Sequence, residues 1–285
     1  MEPTATQPAV EHPDGNGAAP SQNGSRSAAP RAPSGQGRRG ILHEASATEH
    51  ATAPPAQLDG LGFDPEAKAA ELEDASAEEA LSWALETFHP QMYIACSFQK
   101  TSSVTVHLAN SIDPGARFFY LDTDVLFPET YATKDRLEER YGINFHRYSS
   151  ITLEQQAGLY GDELWSRDPD SCCGIRKVEP MRSALAAVDL WVSGIRRSDS
   201  QTRARAPKFA WDRRFGLWKL NPLADWSEEQ VWDYIQEHGI PYNDLHDQGY
   251  PSIGCTHCTR KPAAGEDARA GRWAGLSKTE CGLHG

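Results

Sequence analysis

The sequence lacks any apolar run long enough to cross a bilayer, and no apolar segment of the kind found in secretory signals follows Met1. We therefore expect a soluble, cytoplasmic protein without a membrane partner. Basic residues are also scarce, because 28 Lys and Arg stand against 40 Asp and Glu, for a net charge of −12. A phosphate backbone repels such a chain unless its basic residues form one patch, so we expect no nucleic-acid partner.

Residues 1–57 contain no aromatic side chain and are rich in Pro, Gly, Ala and Ser. Such a segment cannot bury enough apolar surface to offset the entropy of ordering, so we predict a disordered, low-complexity tail. The alternative is an organelle transit peptide, which Arg26, Arg31, Arg38 and Arg39 suggest. The acidic residues among them and the missing amphipathic pattern disfavour that alternative. Residues 58–285 are predicted to form the folded domain.

Beyond Leu58, apolar patterns typical of helices alternate with short apolar runs typical of strands. The predicted helices are 66–87, 103–109, 128–141, 178–188 and 228–237, the predicted strands are 92–96, 118–121, 143–148 and 190–195, and 207–222 is a predicted hairpin. This alternation predicts an α/β fold, with a mostly parallel sheet, helices on both faces and ligands at the carboxyl ends of the strands. From Pro241 onward Gly, Pro and polar residues dominate, so the C-terminal segment is predicted to be loop-rich.

Six cysteines in a cytosolic chain of this length indicate metal binding or catalysis more often than disulfides. Cys172 and Cys173 are adjacent, and a bridge between them would be strained because neighbouring Cα atoms lie only about 3.8 Å apart. Together with Cys255-x-x-Cys258 they provide four ligands. Structural zinc sites usually use two Cys-x-x-Cys pairs, whereas the larger iron–sulfur cluster accepts neighbouring thiolates at separate irons. The pattern favours a cluster over zinc, with buried inert thiols as a third alternative.

The remaining two cysteines differ from these four. Cys281 lies near the end of the chain, three residues before His284, and a thiol on a mobile segment is a candidate nucleophile. The alternative is an ordinary exposed cysteine. Cys96 falls within a predicted strand and is expected to be a core residue.

Basic residues concentrate in two stretches of this acidic chain. They are Arg176, Lys177, Arg196, Arg197, Arg203 and Arg205, followed by Arg269 and Arg272. Arginine matches the oxygens of phosphate and sulfate bidentately. The group from Arg196 to Arg203 directly follows a predicted strand, where a sheet of this kind binds its ligand. We therefore favour an anion site over a merely solvated charged face.

Three motifs carry a resemblance to a known family. They are Cys172-Cys173-Gly174-Ile175-Arg176-Lys177, the stretch from Pro241 to Thr259 that contains Cys255-Thr256-His257-Cys258, and the ending Glu280-Cys281-Gly282-Leu283-His284. With these motifs, the whole chain after the tail resembles the assimilatory sulfonucleotide reductases, specifically the iron–sulfur type of adenylyl-sulfate (APS) reductase. The resemblance implies an adenine-nucleotide α-hydrolase-like fold and reduction of adenylyl sulfate to sulfite and AMP in sulfate assimilation. It also implies a thioredoxin or glutaredoxin-like donor.

The resemblance also assigns roles to residues. It implies one 4Fe–4S cluster per chain on Cys172, Cys173, Cys255 and Cys258, and an S-sulfocysteine formed on Cys281. The further catalytic residues are Lys177 and His284. The implied substrate-binding residues are Ser97, Gln99 and Lys100 in a phosphate-facing loop, Leu121 and Asp122 in an adenosine region, Arg196, Arg197 and Arg203 in an arginine loop, and Arg269 and Arg272.

Three positions depart from the family pattern. The phosphate-facing loop lacks the expected glycine, so Lys100 is expected to supply charge there. His257 replaces a usual proline between the second cysteine pair, where it is expected either to hydrogen-bond a cluster sulfur or to be exposed. Asp124 replaces a common glycine.

Other functions are compatible with parts of this pattern. The nearest alternative is a reductase for PAPS, the 3′-phosphorylated substrate, or for both substrates. More distant alternatives are a tRNA-thiolating enzyme and a non-enzymatic iron–sulfur redox sensor. The oligomeric state stays open.

Overall fold

The computed structural model describes residues 62–284. The predicted disordered tail, residues 1–57, lies outside the described residues. Within residues 62–284, no helix has both the length and the apolar character needed to cross a membrane.

The described chain begins with two helices, α1 (Pro65–Asp74) and α2 (Ala77–Phe88). The prediction of one continuous helix over 66–87 is wrong. Ser76 starts the second helix with a capping box, in which its side chain accepts from the Glu79 N–H and the Glu79 carboxylate accepts from the Ser76 N–H. In an uninterrupted helix, these two backbone N–H groups would donate to carbonyl oxygens of the preceding turn. Here the capping box satisfies them instead, so a new helix begins after Ser76.

A six-stranded sheet follows. Its strands are β1 (Met92–Ala95), β2 (Phe118–Asp122), β3 (Phe145–Ser149), β4 (Leu190–Val192), β5 (Phe209–Asp212) and β6 (Leu217–Leu220). They lie in the order β3-β2-β1-β4-β6-β5, and only the β5–β6 pair is antiparallel among the described strands. The predicted mostly parallel sheet is therefore confirmed. Because the chain leaves β1 toward β2 on one side and reaches β4 on the other, the topological switch point lies beside β1.

The longer helices pack on both faces of the sheet. They are α3 (Lys100–Ile112), α4 (Pro128–Tyr141), α8 (Glu179–Leu185) and α9 (Glu228–His238). A further helix, α5 (Leu153–Tyr160), exposes most of its side chains and buries only Gln156. One buried core joins α2, α3 and α9 to the sheet, and a second core joins α8 to the opposite face. The helix predicted over 103–109 starts earlier, at Lys100, because the turn after β1 is shorter than expected.

Short helical pieces carry the first cysteine pair. They are α6 (Leu164–Arg167), α7 (Pro169–Cys173) and a π-helical turn over Gly174–Val178 that leads into α8. After α9, residues 239–284 contain a single 3₁₀ turn, Thr256–Cys258, and two isolated bridges, Leu126 to Cys255 and Thr259 to Arg272. The prediction of a loop-rich C-terminal segment is confirmed.

Candidate active site

A cavity of about 550 Å³ lies at the carboxyl ends of β1, β2 and β4, which is the switch point of the sheet. Three walls come from chain segments that directly follow these strands. The remaining wall comes from the loop-rich segment between His246 and Trp273 and from the C-terminal tail, which we define as residues 278–284. The predicted site residues that line this cavity are Ser97, Gln99, Lys100, Leu121, Lys177, Arg196, Arg203, Arg269, Arg272, Cys281 and His284.

The loop after β1 turns sharply at Phe98, whose φ of 57° lies in the left-handed region that glycine adopts most easily. The Phe98 ring is 1% exposed and packs edge-on against Tyr120 and Phe145, at ring-centre distances of 5.3 and 4.9 Å. Core packing thus holds in place a backbone conformation that most side chains disfavour.

Two hydrogen bonds tie this loop to the C-terminal segment. The Gln99 side-chain oxygen accepts from the Ile253 N–H at 2.8 Å, and His246 Nε2 accepts from the Lys100 N–H at 3.2 Å. His246 Nδ1 lies 2.8 Å from the Tyr250 carbonyl oxygen and donates to it, which fixes the neutral tautomer. Burial, followed by the charge of Lys100, lowers the pKa of His246 to about 4. The sequence analysis places His246 in a motif but assigns it no role, because its partner Lys100 lies 146 residues away in the chain.

The segment after β4 approaches the start of α3 closely. A Cβ on Gly194 would lie 3.1 Å from both Cα and N of Ser102, so a side chain at this position would push against the backbone of α3. His246 accepts from the first N–H of α3, that of Lys100, whereas the N-cap residue Gln99 makes no side-chain capping hydrogen bond. Backbone N–H groups of such an end favour an anion, which agrees with the predicted phosphate-facing loop.

The charge on Lys100 is compensated within the site. Its ammonium lies 2.8 Å from the Glu228 carboxylate and 5.5 Å from the centre of the Trp232 ring. Glu228 also pairs with Arg196 at 2.6 Å. Glu228 was not predicted, although it starts a helix whose first turn faces the cavity. Arg196 pairs with Asp199 as well, at 3.1 Å, so the two cations of this network face two carboxylates.

Arg203 and Arg269 bind the C-terminal tail. Arg203 donates to the Glu280 carboxylate from Nε at 3.0 Å and from Nη2 at 2.9 Å, and Arg269 donates from Nη2 at 3.2 Å. Arg272 donates to Ser252 Oγ at 3.2 Å. Glu280 was also missed by sequence reasoning. Its carboxylate holds the tail against the arginine loop.

The Cys281 thiol lies on the cavity wall among cationic groups. Burial raises the pKa of Cys281, but the charge of Lys177, the Leu283 N–H and the charge of Arg272 together lower it below its usual value. Burial lowers the pKa of Lys177, and the thiols Cys255 and Cys281 more than offset this, so the pKa is raised. The arrangement favours a Cys281 thiolate beside a protonated Lys177.

Two predicted substrate-binding residues are engaged elsewhere. The Asp122 carboxylate pairs with Arg147 at 2.7 Å and accepts from the Tyr131 hydroxyl at 2.7 Å. Arg197 pairs with Glu73 and donates to the Ala206 carbonyl oxygen. Neither side chain is among those that line the cavity. Both instead stabilise the segments that carry the cavity walls.

A second cavity, of about 740 Å³, is lined by Cys172, Cys173, Cys255 and Cys258, and we call it the thiol cavity. All six cysteines of the chain are free thiols. Burial, followed by Cys255, raises the pKa of Cys258 to about 11. These four thiols are the residues that could hold a metal group. Among residues 62–284, no three Cys, His, Asp or Glu side chains converge closely enough for a single metal ion.

Buried hydrogen-bond donors in the thiol cavity lack partners. Arg176 is 2% exposed and leaves Nε and Nη2 unpaired, while Nη1 donates to the Thr123 carbonyl oxygen and pairs with Asp124. The indole N–H of Trp273 is also buried and unpaired. Asp124 has a φ of 58°, in the left-handed region that favours glycine, which agrees with the glycine that the family pattern predicts there. Lys177 and Trp273 line both cavities.

The replacement of proline by His257 creates a contact at the rim of the thiol cavity. The side chain is exposed, which was one of the two expectations for it. Its imidazole stacks on the Trp165 ring, with ring centres 4.8 Å apart and an interplanar angle of 10°. The histidine thus packs on α6 while it stays accessible to solvent.

An α/β fold with a cation-lined cavity at its switch point, and a thiol brought to that cavity by the tail, defines a nucleotide-binding protein equipped for thiol chemistry. Residues 91–261 match the family model described as the phosphoadenosine phosphosulfate reductase domain, more than half of the chain. The chain belongs to this family.

Relatives support this assignment along most of the chain. The chain is 46% identical to the adenosine 5'-phosphosulfate reductase of Shouchella clausii over 75% of this chain and 89% of that protein. It is 48% identical to the protein of the same name from Mycobacteroides abscessus, over 80% and 95%. Among solved structures it is similar to the phosphoadenylyl-sulfate (PAPS) reductase from Candida auris in its phosphate complex. That match has a TM-score of 0.61 and 32% identity, and covers 68% of this chain and 95% of the other.

Proposed function

We propose that this chain is an adenylyl-sulfate reductase that forms sulfite and AMP in sulfate assimilation, using a dithiol protein of the thioredoxin or glutaredoxin type. Relatives named adenosine 5'-phosphosulfate reductase support the reaction. The observation that carries the proposal is that Cys281, Lys177, Arg269, Arg272 and His284 line one cavity at the switch point of a nucleotide-binding fold. A small anionic nucleotide suits this cavity of about 550 Å³.

In the first step, the Cys281 thiolate attacks the sulfur atom of the sulfate group. A sulfur–sulfur bond forms, the bond from that sulfur to the bridging oxygen of AMP breaks, and AMP leaves with the electron pair. The product is an S-sulfocysteine on Cys281. Lys177 favours the thiolate by its charge and, with Arg269 and Arg272, stabilises the negative charge that develops on the leaving phosphate.

In the second step, a thiolate of the donor protein attacks Cys281 Sγ. A mixed disulfide forms and sulfite leaves with the electron pair, so the donor supplies both electrons of the reduction. The second donor thiol then displaces Cys281, which regains its thiol, and the donor departs as a disulfide. Cys281 must reach a bulky partner in this step. The tail that carries it contains no helix or strand, which suits that requirement.

The thiol cavity fits one 4Fe–4S cluster on Cys172, Cys173, Cys255 and Cys258. The unpaired donors of Arg176 and Trp273 support the fit, because cluster sulfur atoms accept hydrogen bonds. Four thiols that line one cavity without converging on one ion also agree with a group larger than zinc. When bound, the cluster would supply a fixed negative charge that holds Lys177 protonated at the wall between the two cavities.

The test is a sulfite and AMP assay with adenylyl sulfate and PAPS side by side, with thioredoxin as donor. Cys281→Ser is expected to abolish release of both products. Thr279→Ser, a conservative change at an exposed side chain of the same tail that does not line the cavity, is the control and is expected to keep activity. Survival of activity in Cys281→Ser would refute the assignment of Cys281 as the nucleophile. Turnover of PAPS but not of adenylyl sulfate would show that PAPS is the substrate.

The cofactor has a test of its own. Anaerobically purified protein is expected to contain iron and acid-labile sulfide in equal amounts, and Cys258→Ser is expected to lose both. Stoichiometric zinc without sulfide would refute the cluster. Iron and sulfide without any sulfite release would favour a redox sensor over the enzyme.

A further inference from the structure

Trp191 and Lys219 are register partners on the neighbouring parallel strands β4 and β6, so their side chains stand side by side on one face of the sheet. The Lys219 ammonium lies 4.5 Å from the centre of the Trp191 ring. On its other side, the Trp191 indole N–H donates to the Asp212 carboxylate at 3.2 Å. We call these three residues the His284 dock.

The end of the C-terminal tail rests on this dock. The His284 ring stacks on Trp191, with ring centres 5.6 Å apart and an interplanar angle of 15°. His284 Nδ1 lies 3.2 Å from Lys219 Nζ. The neighbouring Leu283 packs on the same apolar core as Trp191. His284 Nδ1 therefore contacts Lys219 of the sheet, while the His284 ring lines the substrate cavity.

The chemistry of this contact determines the tautomer. A protonated lysine has three donors and no acceptor, so His284 Nδ1 must accept the hydrogen bond. A neutral imidazole with an accepting Nδ1 carries its proton on Nε2. We propose that Lys219 and Trp191 are positioning residues that hold His284 as a neutral ring with Nε2–H free to donate to an oxygen of the substrate. This inference rests on the proposed reductase function.

The charges around His284 agree with a neutral ring. Burial, then the positive charges of Lys219, Arg203, Arg269 and Lys177, lowers the pKa of His284 well below its usual range. Protonating the ring would add a fifth cation to this group and break the hydrogen bond from Lys219. The carboxylates of Asp212, beside Lys219, and Glu280, in the tail, only partly offset these cations.

The His284 dock also sets an upper pH limit for the Nε2–H tautomer of His284. Burial is the main cause that lowers the pKa of Lys219 to about 8, while Asp212, Glu280 and Cys281 act in the opposite direction. Below that pH the ammonium enforces the Nε2–H tautomer. Above it a neutral amine can accept a hydrogen bond as well as donate one, and the constraint on His284 is lost. The fraction of His284 in the productive tautomer should therefore fall as the pH rises through about 8.

The kinetic test compares two lysines that each lie over a tryptophan. Lys219→Met removes the donor and keeps the length of the side chain, and it is expected to lower kcat/KM about 10–100-fold. Lys219→Arg keeps a donor and should recover part of the loss. Lys68, which lies 5.4 Å from the centre of the Trp83 ring and does not line the cavity, provides the control Lys68→Met with unchanged kcat/KM.

A side-chain NMR experiment on ¹⁵N-histidine-labelled protein tests the tautomer without any turnover, so it is independent of the proposed function. His284 is assigned by its absence in His284→Asn. In the unmodified protein the ring is expected to be neutral at pH 6, with a proton on Nε2 only. Lys219→Met is expected to raise the pKa of His284 and to allow protonation at Nδ1, whereas Lys68→Met should reproduce the unmodified spectrum.

Two results would overturn the proposal. The first is a His284 ring that titrates near the ordinary histidine pKa of about 6.5 in the unmodified protein, a measurement that needs no variant to fold. The second is an unchanged His284 spectrum and unchanged kcat/KM in Lys219→Met. If Lys219→Met does not fold, Trp191→Phe replaces it. That variant removes the indole stacking surface, and unchanged kcat/KM there would count against the dock in the same way.

Discussion

Replacing Glu280 by Gln is expected to loosen the C-terminal tail, because this carboxylate is the point at which the tail joins the arginine loop. Its side chain is 12% exposed, and its main partner Arg203 is 11% exposed. Three hydrogen bonds from two arginines reach it, at 2.9 to 3.2 Å. Gln keeps the shape of the side chain but removes the charge, and its amide group turns a donor toward other donors.

The expected magnitude follows from these contacts. A hydrogen bond to a charged partner contributes about 1.5–3 kcal/mol, and the glutamine of the Glu280→Gln variant would retain one acceptor. We expect closure of the tail to lose about 1.5–3 kcal/mol. At about 1.4 kcal/mol per factor of ten, the open population should rise about 10–100-fold.

The assay is limited trypsin digestion, with mass spectrometry of the cleavage after Lys278. Lys278 is paired with Asp170 and shielded in the closed tail, so cleavage reports the open population. Glu266→Gln is a matched control, because Glu266 forms a similar bidentate pair with Arg260 but both side chains are exposed, at 37% and 46%. Solvent screens that pair, and its loss should leave cleavage nearly unchanged. Equal cleavage rates in the two variants would refute the reasoning.

Three further predictions concern stability. Phe98→Ala should cost about 3–5 kcal/mol in urea unfolding, because the ring is fully buried; a loss below about 1 kcal/mol would show that the ring does not anchor its loop. Asp124→Asn should cost about 1–3 kcal/mol, because Arg176 would stay buried beside a neutral partner; the exposed Asp135→Asn is the control. His246 has a folded pKa of about 4, so its contribution is complete above about pH 6.5 and lost as the pH falls from there toward 4, by at most about 3 kcal/mol. His246→Asn should flatten stability over that window, and an unchanged slope would contradict the assignment.

Local signals explain which parts of the fold could be predicted. The helix over 128–141 was predicted with both ends correct, since Pro128 opens it and Gly142 closes it in the left-handed conformation. The prediction of one helix over 66–87 was wrong because the apolar pattern continues past Ser76, the N-cap residue of α2. The place of β6 between β4 and β5 depends on contacts between distant segments, which no local pattern encodes.

The same distinction applies to the site. Residues in compact motifs, such as Cys172 and Cys281, were identified from neighbouring sequence. Trp191, Lys219 and Glu228 were not, because each acts through a partner brought near only by the fold. Asp122 shows the opposite situation. It sits within a recognisable motif, yet its carboxylate turns toward Arg147.

The wall that Lys177 and Trp273 share between the two cavities has a consequence for protein engineering. A designer could not transplant the cysteine-lined half into another scaffold, or delete it from this one, as a self-contained module. Every change made on one side of these two side chains reshapes the other side. A simplified variant would need new residues at both positions before any cysteine was removed.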